Sequence, residues 1–568
     1  MRYAFVMQYF GERLDLSSSK KGGHKMSKKE TSIMVNYADL PNPGLRAYFE
    51  HVVQGQPEEY RTPFFKGKSL EDILNGWKPT LDTVGEQWPT LLEYENDLAK
   101  KVGPMSIMKP LKDRLADIDS YYDSILLEST PISSDALRAV VKEWGRFGGL
   151  RLKDVGQTID DMKKSTNSGL PAFIKRSRFF EKYSFSGPEL SPDGLDLWYE
   201  TKNLSTRERV MWEGAAVLGW RGQEGGPSPD DVKQRVVWMF PVQVNIAELQ
   251  CYQPLIQAAQ KGSLVPAWVS MDEVDKRITK MFDTKGPDDL VVCTDFSKFD
   301  QHFNADMQNA AKYILSKLFT KSDHFSSWIE EVFPIKYMIP LMYDWNKVRH
   351  GLHGMGSGSG GTNADETLTH RALQHEAALS AGSILNPNSQ CLGDDGVLTY
   401  PGITVEDVVQ VYSSHGQEMN LDKQYASKHD CTYLRRWHHT DYRENGVCVG
   451  VYSTYRALGR LAEQERYYNP DEWGPKMVAL RQLSIIENCK YHPLREQFAD
   501  YCMKGDKYRL GLDIPGFFDS LEAEAQKATE YMPDFLGYTK SLQAERKDGQ
   551  MQTGITDWWI VKYLKSKA

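Results

Sequence analysis

The sequence predicts an α+β fold, an antiparallel sheet flanked by helices, and three observations carry that reading. Two short strand-like runs, Gln390-Cys391-Leu392 and Val397-Leu398-Thr399-Tyr400, bracket Gly393-Asp394-Asp395-Gly396 and so read as a β-hairpin. A third run, Val291-Val292-Cys293-Thr294, reads as a buried strand that stops at Asp295. Between these strands, apolar residues recur at helical spacing, first at Met307, Ala310, Ala311, Ile314, Leu315 and Leu318, then at Ala364, Leu368, Ala372 and Leu379.

Each element has a local reason. Residues 17–29 are small, polar and basic, which predicts a solvated tail able to touch phosphates. A helix is expected over 135–144, opened by Ser133 or Ser134 as N-cap. A Gly/Pro-rich loop at 222–229 separates two elements of the middle region. Next come Lys233 and Arg235, two residues apart and so on one face of a strand, followed by an apolar run and Pro241. Asn304 caps the helix after Asp295, and the glycine-dense 354–362 lets backbone approach a neighbour closely before the next helix begins. At the hairpin, glycines on both sides of the acids relax the φ limits of a tight turn, so both carboxylates are expected at its tip. Beyond 440 the chain reads helical again. Pro493 falls in a first turn, Leu494, Phe498, Tyr501 and Cys502 share a face, and Gly505 stops the helix.

Composition bounds the answer. At 568 residues the chain is too long for one ordinary compact domain, and its 40% apolar and 11% aromatic content can fill a large core. A net charge of -8 argues against a uniformly basic coat, so contacts with a polyanion must come from local cationic tracks. The seven cysteines are scattered, odd in number and without a Cys-x-x-Cys pair, which fits a reducing compartment. Cys431, His438, His439 and Cys448 match no strong zinc spacing. There is no run of 18 apolar residues and no convincing cleavage site after the first ten, so a soluble, unsecreted protein without membrane partners is expected.

The acids carry the chemistry. Adjacent carboxylates repel unless a cation or strong hydrogen bonds neutralise them. In order, the chain holds Asp295-x4-Asp300, then Ser357-Gly358-x3-Thr362, then Gly393-Asp394-Asp395. Together these resemble the palm motifs of viral RNA-dependent RNA polymerases. The wording DFSKFDQ, GSGSGGTNADE and LGDDG is most similar to the picobirnavirus polymerases, with partitivirus enzymes next. The three motifs span about residues 290 to 400, and weaker matches extend from about 165 to 440.

The resemblance implies a right-hand polymerase with fingers, palm and thumb. The expected division is an extension joining fingers to thumb at 1–90, fingers at 91–285, palm at 286–305, a fingers insertion at 306–352, palm at 353–440, and thumb with tail at 441–568. Phosphoryl transfer to a 3'-hydroxyl suits two Mg2+ ions, with Mn2+ as substitute, held by hard oxygens from two segments. Asp295 and Asp394 are the expected bridging ligands and Asp395 an auxiliary one, with the carbonyl of Cys293 or Thr294 completing the shell. Lys423 is the candidate general acid toward pyrophosphate, with Lys428 in reserve.

Lys233 and Arg235 are expected on the triphosphate, with Arg221 a weaker addition. Asp300 is expected at the ribose 2'-hydroxyl, joined by Ser357 and Thr362. The position four after Thr362, often asparagine in such enzymes, is Glu366 here, which leaves Asn363 and Asp365 as rivals for sugar reading. Ser168 and Gly169, then Lys175, Arg176 and Arg178 among Phe173, Phe179 and Phe180, resemble a template-guiding segment, with Gly358 also on the RNA. Arg435 or Arg436 would hold product phosphates. The apolar tail at 557–565 is expected to dock either on the thumb's own core or in the cleft, where Trp558 or Tyr563 could stack beneath an initiating nucleotide.

Implied partners are RNA template and nascent RNA, ribonucleoside triphosphates and a viral capsid protein, for a monomer in the virion interior and the host-cell cytoplasm. Two other readings retain part of the pattern. A reverse transcriptase or other metal-dependent phosphoryl transferase is opposed by the Ser-Gly-x3-Thr element and the acid at 300. A non-catalytic RNA-binding or capsid-associated protein would show template binding without extension, indifferent to Asp394→Ala.

Overall fold

The central sheet has four antiparallel strands in the order Gln390–Leu392, Asp395–Leu398, Val291–Thr294, Tyr425–Ser427. It belongs to a computed structural model that describes residues 32–34, 42–191, 194–202, 209–469, 471–532 and 554–568. The basic stretch at 17–29 lies outside the described residues. Val292 and Leu398 feed the largest core, whereas Val291, Cys293 and Val397 pack on the opposite face with Ile278, Met281, Cys431 and Tyr433. Burial on both faces explains why Val291–Thr294 has no alternating polar residue.

Helices Ser134–Trp144, Val242–Gly262, Ala305–Leu318 and Thr362–Ser380 build the largest core. Ser133 is the cap of the first, accepting from Ala136 N at 3.2 Å, and Asn304 caps the third, accepting from Met307 N at 3.1 Å. In Thr362–Ser380, Ala364, Leu368 and Ala372 are buried as expected, but Leu379 is 42% exposed. The helix ends there, and its last buried contacts are Ala377 and Ala378. The loop at 222–229 joins strands Ala216–Gln223 and Lys233–Met239, which pair antiparallel in a five-stranded sheet with Leu341–Asp344, Lys347–Arg349 and Ser32–Met34.

A second core joins the segment at 64–102 to the segment from 437 onward. Trp77, Leu81, Leu91 and Val102 pack with Leu458, Leu483, Phe498 and Cys502. The boundary expected at 90 falls inside the helix Pro89–Ala99. Pro493 precedes the helix Arg495–Lys504 instead of standing in its first turn, and Gly505 ends it. The tail helix Trp559–Lys565 buries Ile560, Val561 and Leu564 in this core, and Glu487 accepts from the amides of Trp559 and Ile560 at 3.2 and 3.0 Å. Trp558 and Tyr563 pack against the same core, so the cleft is not where the tail lies.

Candidate active site

Asp295 leaves the end of Val291–Thr294 exposed, and its backbone is held from both sides by one side chain. Gln424 accepts from Asp295 N at 2.7 Å and donates to Asp295 O at 2.9 Å. The neighbouring strand pairs Gly396 with Thr294, the last pair of that ladder, and Asp295 and Asp395 are the residues next to this pair on the two segments. The two aspartates line a single cavity of about 520 Å³, together with Lys233, Lys423, Arg435 and Arg456.

The hairpin differs from the expected one in a single respect. Leu392 pairs with Asp395, so the turn is the two residues Gly393 and Asp394, with Gly393 at φ 57°. Asp395 opens the returning strand and Gly396 sits within the ladder. Gly396 is needed for packing: a Cβ there would stand 2.6 Å from His370 Cε1. The turn is pinned to the helix behind it, since Thr367 Oγ1 accepts from Gly393 N at 2.9 Å and His370 Nδ1 lies 2.8 Å from Gly393 O. Burial lowers the His370 pKa to about 4, which keeps the ring neutral with its Nδ1 proton on that carbonyl.

Burial, then the charge of Asp394, pushes Asp395 up to about 7, although its Oδ2 accepts from Leu434 N at 2.9 Å. Asp394 is raised by burial and then by Asp300, with Asp295 adding to the same effect. Glu366, buried, is raised well above the carboxylate range by burial and by its neighbour Asp300. Arg235, half-exposed and 4.0 Å from Asp300, places a cation among them. This excess of oxygen donors from separate segments fits a hard divalent cation. Among the described residues, no three His, Cys, Asp or Glu side chains are gathered at one metal-holding point. Protons and cations then compete for the same oxygens. The Mg2+ concentration giving half-maximal activity is therefore expected to rise several-fold between about pH 8 and about pH 6.5, as the acids with raised pKa take up protons. Equal half-saturating concentrations at both pH values would contradict this.

Other expected residues divide clearly. Lys423 is exposed and lines the cavity, whereas Lys428 pairs with Asp288 at 3.3 Å. Arg435 is exposed on the cavity, but Arg436 is turned into the protein against Asp275 at 2.5 Å and is not available to phosphates. Arg221 pairs with Glu465 at 2.8 Å. Lys175 and Arg178 are exposed, but Arg176 donates to Asn245 Oδ1 at 2.6 Å and to Lys163 O at 3.2 Å. Ser168 is buried, its hydroxyl accepting from Ile174 N at 3.2 Å. A Cβ on Gly169 would stand 2.4 Å from Phe240 O. These two residues fold their own loop.

In the glycine-rich segment, Ser357 donates to Val236 O at 3.4 Å and Thr362 to Gly356 O at 3.2 Å. Gly358 lies on Trp238, where a Cβ would be 1.5 Å from the carbonyl oxygen. Asn363 accepts from Trp268 Nε1 at 2.8 Å and still reaches the hairpin: a Cβ on Gly393 would be 3.7 Å from its Nδ2 and 3.4 Å from Glu366 Oε2. Asp365 is removed from sugar reading, being buried on Lys336 at 3.0 Å.

Gln424, Thr367 and His370 were not anticipated. For the last two a signal exists. Asn363, Glu366, Thr367, His370 and Gln374 form a polar stripe at helical spacing, and a polar stripe on a buried helix must face partners.

The family described as "Viral RNA-dependent RNA polymerase" matches residues 154–448, just over half the chain. The chain belongs to that family. It is 63% identical over 541 residues to a protein of human picobirnavirus (strain Human/Thailand/Hy005102/-) named "Potential RNA-dependent RNA polymerase", covering 94% of this chain and 99% of that one. The crystal structure of the RNA-dependent RNA polymerase of a human picobirnavirus superposes with a TM-score of 0.85 at 60% identity, covering 93% of this chain and 98% of that chain. The insertion loop deletion mutant of such an enzyme matches equally, with a TM-score of 0.85 and 97% of that chain covered. This polymerase therefore has the right-hand fold, with an antiparallel palm sheet, and acts on RNA and nucleotides. Among its described residues no helix is long and apolar enough to cross a membrane.

Proposed function

We propose that this polymerase copies an RNA template from ribonucleoside triphosphates by two-metal-ion nucleotidyl transfer, in replication and transcription of a segmented double-stranded RNA genome. The observation that carries the mechanism is the meeting of Asp295 and Asp395 on one cavity, with Asp394 coupled in charge to both Asp295 and Asp300. Asp295 and Asp394 would hold the metals, with Asp395 as an auxiliary oxygen donor. When bound there, two Mg2+ ions, or Mn2+ in their place, would lower the pKa of the 3'-hydroxyl and neutralise the triphosphate.

The chain's own groups do the rest. Lys233 and Arg235 lie on one face of their strand and would clamp phosphates, and Lys423 on the cavity wall would donate a proton to departing pyrophosphate. Asp300 and Glu366 would read the ribose: a carboxylate accepts from the 2'-hydroxyl, and a protonated Glu366 holds that carboxylate in place. Lys175, Arg178 and Arg435 are the exposed cations for RNA phosphates. The divisions at 1–90, 91–285, 286–305, 306–352, 353–440 and 441–568 remain our assignment of fingers, palm and thumb, with the first boundary moved to an end of the helix Pro89–Ala99. A monomer working with a capsid protein, in the virion interior and the cytoplasm, completes the reading, supported by the viral origin of the relatives.

Gel-resolved extension of a defined RNA in Mg2+, with ribo- or deoxyribonucleoside triphosphates, tests it. A ribonucleotide preference on the order of 100-fold or more is expected, because a site built to hydrogen-bond a hydroxyl rejects an analogue lacking it. Equal use of deoxyribonucleotides would favour the reverse-transcriptase reading.

A further inference from the structure

Helix Val242–Gly262 carries a buried polar network that the proposed catalysis does not use. Glu248 is fully buried. One of its carboxylate oxygens accepts from the Ser359 hydroxyl; the other accepts from Gly360 N at 3.1 Å and Asn245 Nδ2 at 3.3 Å. Asn245 also donates to Gly358 O at 3.3 Å and accepts from Arg176 Nη2 at 2.6 Å. Arg176 in turn donates to Lys163 O at 3.2 Å, and its backbone N reaches Thr166 O at 2.9 Å. One turn of one helix thus grips three consecutive residues of the glycine-rich loop and the segment at 163–176.

The grip has a physical purpose. A glycine-dense loop has many accessible backbone states, and fixing it needs strong acceptors for its amides. Glu248 supplies an acceptor for Gly360 N and Asn245 a donor for Gly358 O in a buried site, where a lost partner leaves a buried polar group unmade. On the far side the same loop rests on the basic strand, through Gly358 on Trp238 O and Ser357 on Val236 O. Its backbone is therefore clamped between the helix and the strand that presents Lys233 and Arg235.

We infer that Glu248 and Asn245 are positioning residues for the incoming nucleotide: they hold the glycine-rich loop at the height that seats the sugar, and Arg176 ties that height to the segment at 163–176. This rests on the reading that Asp300, whose backbone carbonyl accepts from Met355 N of the glycine-rich loop at 2.8 Å, meets the nucleotide. The measurement is KM and kcat for ribonucleotide incorporation, and the ribo/deoxyribo ratio, on wild type, Glu248→Ala, Glu248→Gln, Asn245→Ala and Asp300→Ala, with melting temperatures alongside.

Glu248→Ala and Asn245→Ala are expected to raise KM on the order of tenfold and to lower the sugar preference, since a small misplacement of a positioning element costs at least that much. Glu248→Gln keeps an acceptor for Gly360 N and should recover most of the loss. A merely structural role would lower the melting temperature and the active fraction without moving KM or the ratio, and that outcome overturns the inference. If Glu248→Ala does not fold, Asn245→Ala is judged by the same two numbers. Should Asp300→Ala also leave KM and the ratio unchanged, the nucleotide reading itself falls; if only the Glu248 and Asn245 variants are silent, the network inference falls alone.

Discussion

Asp295→Ala and Asp394→Ala are each expected to reduce RNA extension by on the order of 10³-fold or more, the scale of losing a principal electrostatic stabiliser of a transition state. Removal of either acid leaves the opposing segment without the partner across which a cation can be shared. The fold should not suffer. Asp394 and Asp395 have raised pKa values, Asp395 about 7, so the folded chain binds more protons than the unfolded chain between the ordinary carboxylate range and that value. Stability without metal therefore falls as pH rises through that window. Deleting a carboxyl relieves the repulsion, and Asp394→Ala without Mg2+ is expected to melt at or above the wild-type temperature near pH 8. Full extension by either variant would refute the metal assignment, and a strongly lowered melting point would refute the electrostatic account of its cause.

The palm was legible because its signals are local. An apolar run ending in an acid, a glycine-bounded hairpin and Asn304 before an amphipathic stretch each specify backbone; the first and last stand where they were expected, and the hairpin forms with only Asp394 of the two acids in its turn. What could not be read is which cation turns inward. Arg435 lies in a hairpin turn at φ 61° and Arg436 opens the returning strand, so one meets the cavity while the other is taken by Asp275, far upstream. Arg176 was lost to Asn245 in the same way. Glycine density raises a similar ambiguity. Close approach was foreseen at 354–362, yet the approaching groups at Gly358 and Gly356 are the protein's own carbonyls, those of Trp238 and Lys336.

The largest stability effect is expected at Lys336 and Asp365, a pair with no exposure on either side chain. Lys336 Nζ lies 3.0 Å from Asp365 Oδ2, donates to Phe333 O at 2.8 Å and stands 3.7 Å above the centre of the Phe333 ring. Asp365 accepts from the hydroxyls of Tyr252 and Tyr337, each at 2.7 Å. With every oxygen partnered, loss of the lysine charge alone strands a carboxylate in a dry core. Lys336→Met is therefore expected to cost about 3–5 kcal/mol in urea unfolding. Lys336→Met combined with Asp365→Leu should cost clearly less, since no charge is then left without a partner, although two tyrosine hydroxyls lose their acceptor. The effect should reach the site, because Lys336 O accepts from Gly356 N at 3.0 Å and so supports the start of the glycine-rich loop. If the single variant loses less than about 1 kcal/mol, the pair does not anchor the loop.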